Sequence, residues 1–568
     1  MDVIKNIFVN LIKTKFYLIL ANFLLVFFLI LLSNLKVLPL QFGDFVFFSL
    51  IYLIFALYRP GWSFLFFVGT IALENINLAP ESLGFSIRPF QLIGGLTVLA
   101  LLIRFFAKRL NLELVKLKWY DFVIIVFAAV GFVSSIFAIN KGLAFKQSAI
   151  LVSFVALYWL VRNYIQAIDD LKKIAPFFLG SSIIVVLYGI WQNVRFIKGL
   201  NSFEAMPGRP NATFTEADWL GIFLVILIAA VYSIVYYFIS LTPTLSQGER
   251  GTSGESLVSQ LPLSKGEGGF RLESRVRGNT ASAICFLYLV PIFILLILTV
   301  SRSAWLGAGF VTLVFLKTVL TNFSFRFREW NWKRFLFILQ FLAIAISCSI
   351  GIVYVFHLTN FQLWSRAQSV GSSLQKITVA CEKWGLSPYN GDLVTDDLPT
   401  KINDVSELKQ FGCRFINLED IDRERDSGNE IREVYRTDPN VNVRRQIYQK
   451  SIETIKEHPV FGIGWGNIAT ILGKDERGAG LNSSNIFLEV WLGSGILGLL
   501  AFLAIWVYIF VKSVVYCIHD DFKSKIIGLF LILGFFAFLI PNIFNAGVFL
   551  GIFWVWLGIA LSIKGEIK

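Results

Sequence analysis

Charged residues are scarce in this chain of 568 residues. Asp, Glu, Lys and Arg make up 16% of the chain, against about 25% in soluble domains. Hydrophobic residues make up 56%, above the roughly 45–50% of soluble domains. This composition excludes a soluble enzyme, a coiled coil and a disordered chain, and it predicts a polytopic membrane protein.

Histidine and cysteine are also few, with three His and five Cys. The sequence contains no Cys-x-x-Cys pair, no His cluster and no spacing typical of metal ligands, so we expect no metal and no other cofactor. Cys381 and Cys413 alone share a hydrophilic stretch. They could form a disulfide in an oxidising compartment, although two free thiols is the interpretation that we favour from the sequence.

The net charge of +13 raises the possibility of a nucleic-acid partner, which we do not expect. Lys and Arg concentrate instead in alternate segments between apolar runs, at 104–118, 162–173, 317–334 and 512–525. Such alternation is typical of cytoplasmic loops, and it predicts that both termini are cytoplasmic. The first apolar run has no small-residue cleavage site, so we expect a transmembrane helix there and not a signal peptide.

Hydropathy predicts an all-α fold with about fourteen transmembrane helices. The predicted spans are 16–33, 40–58, 62–77, 87–107, 119–138, 144–165, 174–194, 217–240, 281–300, 303–321, 335–356, 487–512, 525–541 and 546–563. The chain then divides into N-terminal helices (1–240), a cytoplasmic low-complexity linker (241–280), further helices (281–356), a large outer loop (357–485) and C-terminal helices (486–568). The linker is rich in Ser, Gly and Pro, which favours disorder without a function.

The outer loop is expected to be irregular over 385–440 and helical over 442–458. Val443, Ile447, Ile452 and Ile455 recur at helical spacing there, and Pro459 ends the pattern. The N-cap of this helix is predicted to be Asp438 or Asn440.

Arg302 lies between two apolar runs of the sequence. An arginine at a span boundary extends to the lipid headgroups, pairs with an acid or binds a ligand. Ser303 with Gly307, and Ala304 with Ala308, are small residues at i, i+4 that let another helix approach closely. Arg302 would then be buried at the outer side, where it suits a phosphate or a carboxylate.

Two further arginines, Arg209 and Arg444, map to the same outer side. Arg444 shares a helix face with Tyr448. An arginine on a surface helix is most often simply solvated. Three guanidinium groups that converge could instead hold a diphosphate.

Polar residues also lie where the outer loop meets the next apolar run. Gly464, in the segment that begins at His458, permits either a tight turn or a close approach to a ligand. Ser484 and Asn485 suit contact with a sugar hydroxyl. Glu489, one turn further, is an ionisable residue at the start of a span and therefore a functional candidate.

The order of these motifs resembles the O-antigen ligase and O-antigen polymerase superfamily. The motifs are Ser301-Arg302-Ser303-Ala304-Trp305-Leu306-Gly307, then Arg444-x-x-Ile-Tyr448, His458-Pro-x-x-Gly-x-Gly464, Ser484-Asn485-x-Phe-Leu-Glu489 and Gly495-x-x-Gly498. The resemblance implies an inverting, metal-independent glycosyltransferase of the membrane GT-C type in the bacterial inner membrane. It would pass a glycan from a polyprenyl diphosphate carrier to a sugar hydroxyl on a glycan or lipid acceptor.

The resemblance also implies roles for particular residues. Arginines matching Arg302 and Arg444 neutralise the diphosphate leaving group in the family. We expect catalytic roles for Arg302, Arg444, Ser484 and Glu489, and substrate binding by Arg209, Tyr448, His458, Gly464 and Asn485. Partners would be the lipid-linked donor, the acceptor and membrane lipid, without nucleic acid.

The sequence departs from the family at Ser484, where ligases usually carry the histidine proposed as general base. Serine is a poor base at neutral pH. The proton then passes to Glu489 or His458, or catalysis depends on positioning and leaving-group stabilisation alone. This departure favours a polymerase or exopolysaccharide branch over a ligase. The alternatives are a membrane transporter of a small solute or ion, and a structural membrane protein.

Overall fold

The structure is a computed structural model that describes residues 16–110, 112–206, 208–241, 285–323, 326–358, 374–381, 398–403, 405–416, 421–437, 439–473, 480–519 and 521–564. The predicted linker, beyond Leu241, lies outside the described residues, and so does Asp438.

Helices account for most of the described chain. In chain order they are α1 (Phe16–Asn34), α2 (Phe42–Tyr58), α3 (Pro60–Thr70), α4 (Pro89–Phe106), α5 (Trp119–Phe137), α6 (Lys141–Tyr164), α7 (Ile168–Ile197), α8 (Ala217–Leu241), α9 (Cys285–Leu298), α10 (Arg302–Thr321), α11 (Trp332–Val355), α12 (Ile421–Asp426), α13 (Pro439–Glu457), α14 (Ile468–Leu472), α15 (Ile486–Ile518), α16 (Phe522–Asn542) and α17 (Gly551–Ser562).

Every apolar span predicted from hydropathy overlaps one of these helices, and the predicted span 62–77 is helical only as far as Thr70, in α3. Ten of the described helices are long and apolar enough to cross a membrane, and α2, α9 and α17 are shorter apolar helices. Many large hydrophobic side chains on α1 and α2 are exposed, as expected for surfaces that face lipid. The chain is therefore a polytopic helical membrane protein. The total of fourteen crossings stays a prediction, since a crossing needs about 20 residues.

The short helix α17 lies at the centre of the bundle. All of its residues are buried, and it packs on α6. A helix that is apolar on all sides needs neighbours all around it. Nearby, α16 packs against α8, α10 and α15, and α15 also packs against α5.

The long helix α15 is broken at Gly495, whose backbone angles (φ 68°, ψ −172°) are not helical. The segment that follows α13 fills the break. The N–H of Ile463 donates to the Leu492 carbonyl (2.7 Å), and the N–H of Ile496 donates to the Pro459 carbonyl (3.1 Å). The backbone groups that the break releases from the helix are thereby hydrogen-bonded again.

The outer loop contains a small mixed sheet, so the prediction of an all-α fold is wrong for this region. Strands β1 (Leu374–Cys381), β2 (Lys401–Ile402), β3 (Cys413–Phe415) and β4 (Glu430–Thr437) form it in the order β2-β4-β1-β3. A small core of buried apolar residues lies against it, among them Ile377 and Val434, which pair across β1 and β4. Alternating Val and Ile among charged residues gave too weak a pattern to stand out from an irregular loop.

Cys381 and Cys413 form a disulfide, with an S–S distance of 2.05 Å. The two residues are direct partners in the β1–β3 register. Our preference for free thiols was therefore wrong. The spacing of cysteines in a sequence does not show proximity, whereas the sheet register does.

The predicted loop helix is confirmed as α13. Ile447 and Ile455 are buried in a cluster with apolar residues of α14 and α15, while Val443 and Ile452 are exposed. The helix begins at Pro439, so Asn440 lies inside the first turn and is not the cap.

We expect Gly495→Ala to destabilise the protein by about 2 kcal/mol or more, because an L-residue is strained at this φ and an added Cβ would overlap the Val460 carbonyl. The measurement is the thermal unfolding of the purified protein in detergent. Gly309→Ala is the matched control, since nothing lies within 4 Å of an added Cβ at this position of α10. Equal melting temperatures for the two variants would contradict the role given to the break.

Candidate functional site

The segment Ser301-Arg302-Ser303 forms the start of α10. Ser301 is the N-cap residue and is buried, and Arg302 is partly buried in the first turn. The hydroxyl oxygens of Ser301 and Ser303 lie 3.3 Å apart. The positive end of a helix dipole therefore coincides with a guanidinium group, and an anion placed here would meet both.

Small residues bring two other helices close to this segment, as the sequence predicted. A Cβ added to Gly221 of α8 would lie 2.7 Å from the Ala304 Cβ, and one added to Gly307 would lie 2.8 Å from the Pro541 Cγ of α16. Ala304 and Ala308 are buried. The beginning of α10 is thus held between α8 and α16.

Arg209 fixes the loop before α8 to the beginning of α10. Its Nε donates to the Thr299 carbonyl (3.1 Å), and its Nη2 donates to the Asp218 carboxylate (3.3 Å). The loop is also fixed to α7, because the N–H of Ala212 donates to the side-chain oxygen of Gln192 (2.7 Å). Arg209 therefore has a defined position and little freedom to move.

Asp218, in the first turn of α8, lies close to two of the predicted arginines. Its carboxylate is ion-paired with Arg209 (3.3 Å), it interacts with the charge of Arg444, and it lies near the Ser301 hydroxyl. Ser301 directly precedes Arg302 in the chain. The structure thus brings the ends of α8 and α10 and the exposed Arg444 of α13 to one acidic group.

Hydrogen bonds to the side chains of Glu489 and Asn482 hold the turn before α15. The N–H and the hydroxyl of Ser483 lie 2.8 and 2.7 Å from Oε2 of Glu489, which is 9% exposed. Ser484 has a positive φ of 50°, and its N–H donates to the Asn482 side chain (2.9 Å). The Tyr448 hydroxyl donates to the Ser484 carbonyl (3.2 Å) and connects this turn to α13.

Asn485 is the N-cap of α15. Its side-chain oxygen accepts from the N–H groups of Phe487 (2.9 Å) and Leu488 (3.3 Å), and its Nδ2 donates to the Ile543 carbonyl (3.1 Å). These contacts use the amide group to hold the start of α15. The predicted contact of Asn485 with substrate stays a prediction.

Sequence reasoning missed the segment between α16 and α17. Asn545 donates to the Ser303 hydroxyl (3.0 Å) and to the Pro541 carbonyl (3.0 Å). The ring of Phe544 lies 5.9 Å from the Arg444 guanidinium, a cation–π distance. The available signal was two asparagines, Asn542 and Asn545, in an otherwise apolar stretch.

Two predicted residues lie away from these arginines. His458 is exposed after the end of α13, about 21 Å from Arg444 at the helical rise per residue. Gly464 packs on the α5–α6 connection, where an added Cβ would lie 2.8 Å from the Ala138 Cβ. Both residues support the path of the chain into the α15 break, and their predicted contact with substrate stays a prediction.

Comparison with known protein families identifies the region that contains this site. Residues 287–503 match the family model described as O-antigen ligase. The chain carries an O-antigen ligase domain. The match confirms the resemblance inferred from the motifs, and it makes the chain a glycosyltransferase-type enzyme of surface polysaccharide synthesis. Comparison with curated proteins finds no match.

The O-antigen ligase domain includes α10, the outer sheet, α13 and the broken part of α15, but it leaves out Arg209, Asp218 and the Ile543–Asn545 segment. These residues complete the site from both sides of the domain. The match does not test the role of any single residue.

The hydrogen bonds between Ser483 and Glu489 allow the role of Glu489 to be tested. We expect Glu489→Gln to keep glycan transfer within about fivefold of wild type, because an amide oxygen can still accept from Ser483. Glu489→Ala should lower transfer more strongly, because the Ser483 turn loses its acceptor. Transfer is measured in membranes at matched protein levels. If Glu489 were instead the general base, Glu489→Gln would lower the rate of transfer about 100-fold or more. That result would overturn the positioning role.

Proposed function

We propose that the protein transfers a glycan from a polyprenyl diphosphate carrier to a sugar hydroxyl at the outer face of the bacterial inner membrane. The observation that carries this proposal is that Asp218 is ion-paired with Arg209 and interacts with the charge of Arg444, beside the Ser301-Arg302 start of α10, at the border of an O-antigen ligase domain. Clustered guanidinium groups at a helix N-terminus suit a diphosphate better than a neutral or cationic solute.

In the proposed reaction, an acceptor hydroxyl oxygen attacks the anomeric carbon, and the bond from this carbon to the diphosphate oxygen breaks. Negative charge develops on the leaving diphosphate. Arg302 and Arg444, together with the first turn of α10, are placed to stabilise that charge. Attack from the side opposite the leaving group inverts the anomeric centre, and no metal ion is assigned a role.

The acceptor hydroxyl loses its proton during this step, and the departing diphosphate oxygen accepts it, directly or through solvent. We assign Glu489 to positioning, because its described hydrogen bonds hold the backbone and hydroxyl of Ser483. Ser484 and Tyr448 lie at the turn between the arginines and α15 and are the proposed contacts for the acceptor sugar. Leaving-group stabilisation and positioning would then supply most of the rate enhancement.

Two independent features support an outer location for the site. Lys and Arg concentrate in the segments predicted to be cytoplasmic, on the opposite side from the arginine cluster. The Cys381–Cys413 disulfide in the same outer loop is typical of an oxidising compartment. We therefore propose cytoplasmic termini, a periplasmic loop and a GT-C-like arrangement.

The absence of a histidine at Ser484 leads us to propose polymerisation of O-antigen or exopolysaccharide units over ligation to a lipid acceptor. The enzyme family supports this class of function over the transporter and scaffold alternatives. The acceptor would be a second glycan, with membrane lipid around both substrates.

The reaction is tested with Arg302→Ala and Arg444→Ala. We expect each variant to reduce transfer about 100-fold or more, since removing one such donor typically costs this much. The measurement is a gel of lipid-linked and surface glycans at matched protein levels. Loss of the long-chain ladder with single units left on the carrier indicates a polymerase, and long polymer retained on the carrier indicates a ligase.

The matched control for this test is Lys450→Ala, an exposed cation on the same helix as Arg444. It should leave the glycan profile unchanged. A normal profile in both arginine variants would contradict the proposed mechanism.

The orientation is tested by thiol labelling in intact cells, with Cys285, Cys348 and Cys517 replaced by serine. We expect a membrane-impermeant maleimide to label Cys381 and Cys413 only after an impermeant reductant has been added, because the disulfide lies outside. Labelling without reductant would contradict the disulfide, and no labelling after reduction would contradict the orientation.

A further inference from the structure

We propose that the exposed face of α13 binds the sugar chain of the donor, immediately beyond the diphosphate. This inference rests on the proposed function and extends it from the reacting bond to the glycan. It assigns a binding role to residues outside the arginine cluster.

The face borders an open cavity with a volume of about 640 Å³, which we call the groove. Its lining among the described residues consists of two adjacent rows of α13 side chains at i, i+4 spacing. One row is Arg444, Tyr448, Ile452 and Lys456, and the other runs from Arg445 through Gln449 to Glu453. From Arg444 to Lys456 the helix rises about 18 Å, so the groove extends beyond a single sugar ring.

The opposite face of α13 holds the groove in place. Ile447 and Ile455 are buried against α14 and α15, so the groove residues point away from the protein core. Tyr448 connects one part of the helix to Ser484. After the helix ends, the Pro459 carbonyl accepts from Ile496 and from the indole of Trp491 (3.0 Å). The groove is therefore rigid before any ligand binds.

The side chains in the middle of the groove suit sugar hydroxyls. The Gln449 amide donates to Oε1 of Glu453 (3.0 Å), and both residues are exposed. This contact orients an amide and a carboxylate side by side, and together they offer donors and acceptors to a hydroxyl-rich chain.

The position of Arg444 identifies the donor as the occupant. Arg444 belongs both to the cluster around Asp218 and to the first turn of the groove. The sugars of the donor are covalently bound to the diphosphate that this cluster would hold, so they must leave the cluster along an adjacent surface. A lipid surface is the other occupant of such a helix face, since Arg444, Arg445 and Lys456 would attract anionic headgroups. A helix that lies in a lipid surface also buries a broad apolar face, however, and here Ile452 is the one aliphatic side chain among the described lining residues.

The test compares Gln449→Ala/Glu453→Ala with the control Gln446→Ala/Glu457→Ala, whose residues are exposed on α13 outside the groove. The full-length protein in membranes receives the lipid-linked oligosaccharide extracted from cells that lack the enzyme, or a synthetic polyprenyl diphosphate with one sugar. We expect the groove variant to raise the KM for the oligosaccharide about tenfold. The groove variant should leave the KM or inhibition constant of the one-sugar donor unchanged. The control variant should leave the constants of both donors unchanged.

If the groove variant changes the KM for both donors equally, or for neither, the groove proposal is overturned. The proposed function would still stand in that case, provided that Arg302→Ala and Arg444→Ala lower transfer. A changed response to anionic lipid with an unchanged donor KM would assign the face to lipid and also overturn the proposal. If the wild-type protein transfers sugar from neither donor, the proposed function itself is contradicted. Binding of the acid-released oligosaccharide to wild type but not to the groove variant would still support the groove, and equal binding would overturn it.

Discussion

The break in α15 at Gly495 is the constraint on which the arrangement of the outer site depends. A helix inside a bilayer cannot leave backbone groups unpaired, so the break exists only because Pro459–Ile463 supplies the missing partners. This exchange anchors the C-terminal end of α13. The buried Ile447 and Ile455 then determine which face of α13 lies against α15 and which face carries Arg444. A conformational requirement at Gly495 therefore sets the position of Arg444, a proposed catalytic residue that is distant along the chain.

The second element of the site is the segment between α16 and α17, which contacts α10, α13 and α15. It accepts from Asn485 at the start of α15, donates to Ser303 at the start of α10 and places the Phe544 ring against Arg444. Its backbone is in turn supported by the buried end of α16, where the Asn542 side chain accepts from the Gly547 N–H (2.7 Å). The fully buried α17 follows directly. A fully buried helix therefore adjoins the segment whose contacts position the side chains that are proposed to meet the substrate.

The sequence was informative where a physical requirement acts on a long stretch of residues. A membrane crossing needs a sustained apolar run, so each predicted span overlaps a helix. The alternation of basic segments predicted that three distant arginines share one side of the membrane. Contacts that depend on a few residues were not visible. The sheet joins short strands separated by charged segments, and the Cys381–Cys413 pair follows from its register. The Ile543–Asn545 segment is too short for any periodicity, and Gly464 carries the same signal whether it turns the chain or approaches a ligand.

The contacts of Arg209 distinguish it from Arg444. Arg209 donates to Thr299 and Asp218, so part of its guanidinium group is already engaged and it suits a role in holding Asp218 in place. Asp218 also interacts with Arg444, and a carboxylate between two guanidinium groups removes the repulsion that would otherwise drive them apart. A diphosphate carries more negative charge than one carboxylate and would therefore compete with Asp218 for the exposed Arg444. In the proposed reaction the protein thus keeps its cations assembled before the substrate arrives, and little reorganisation is required when charge develops on the leaving group.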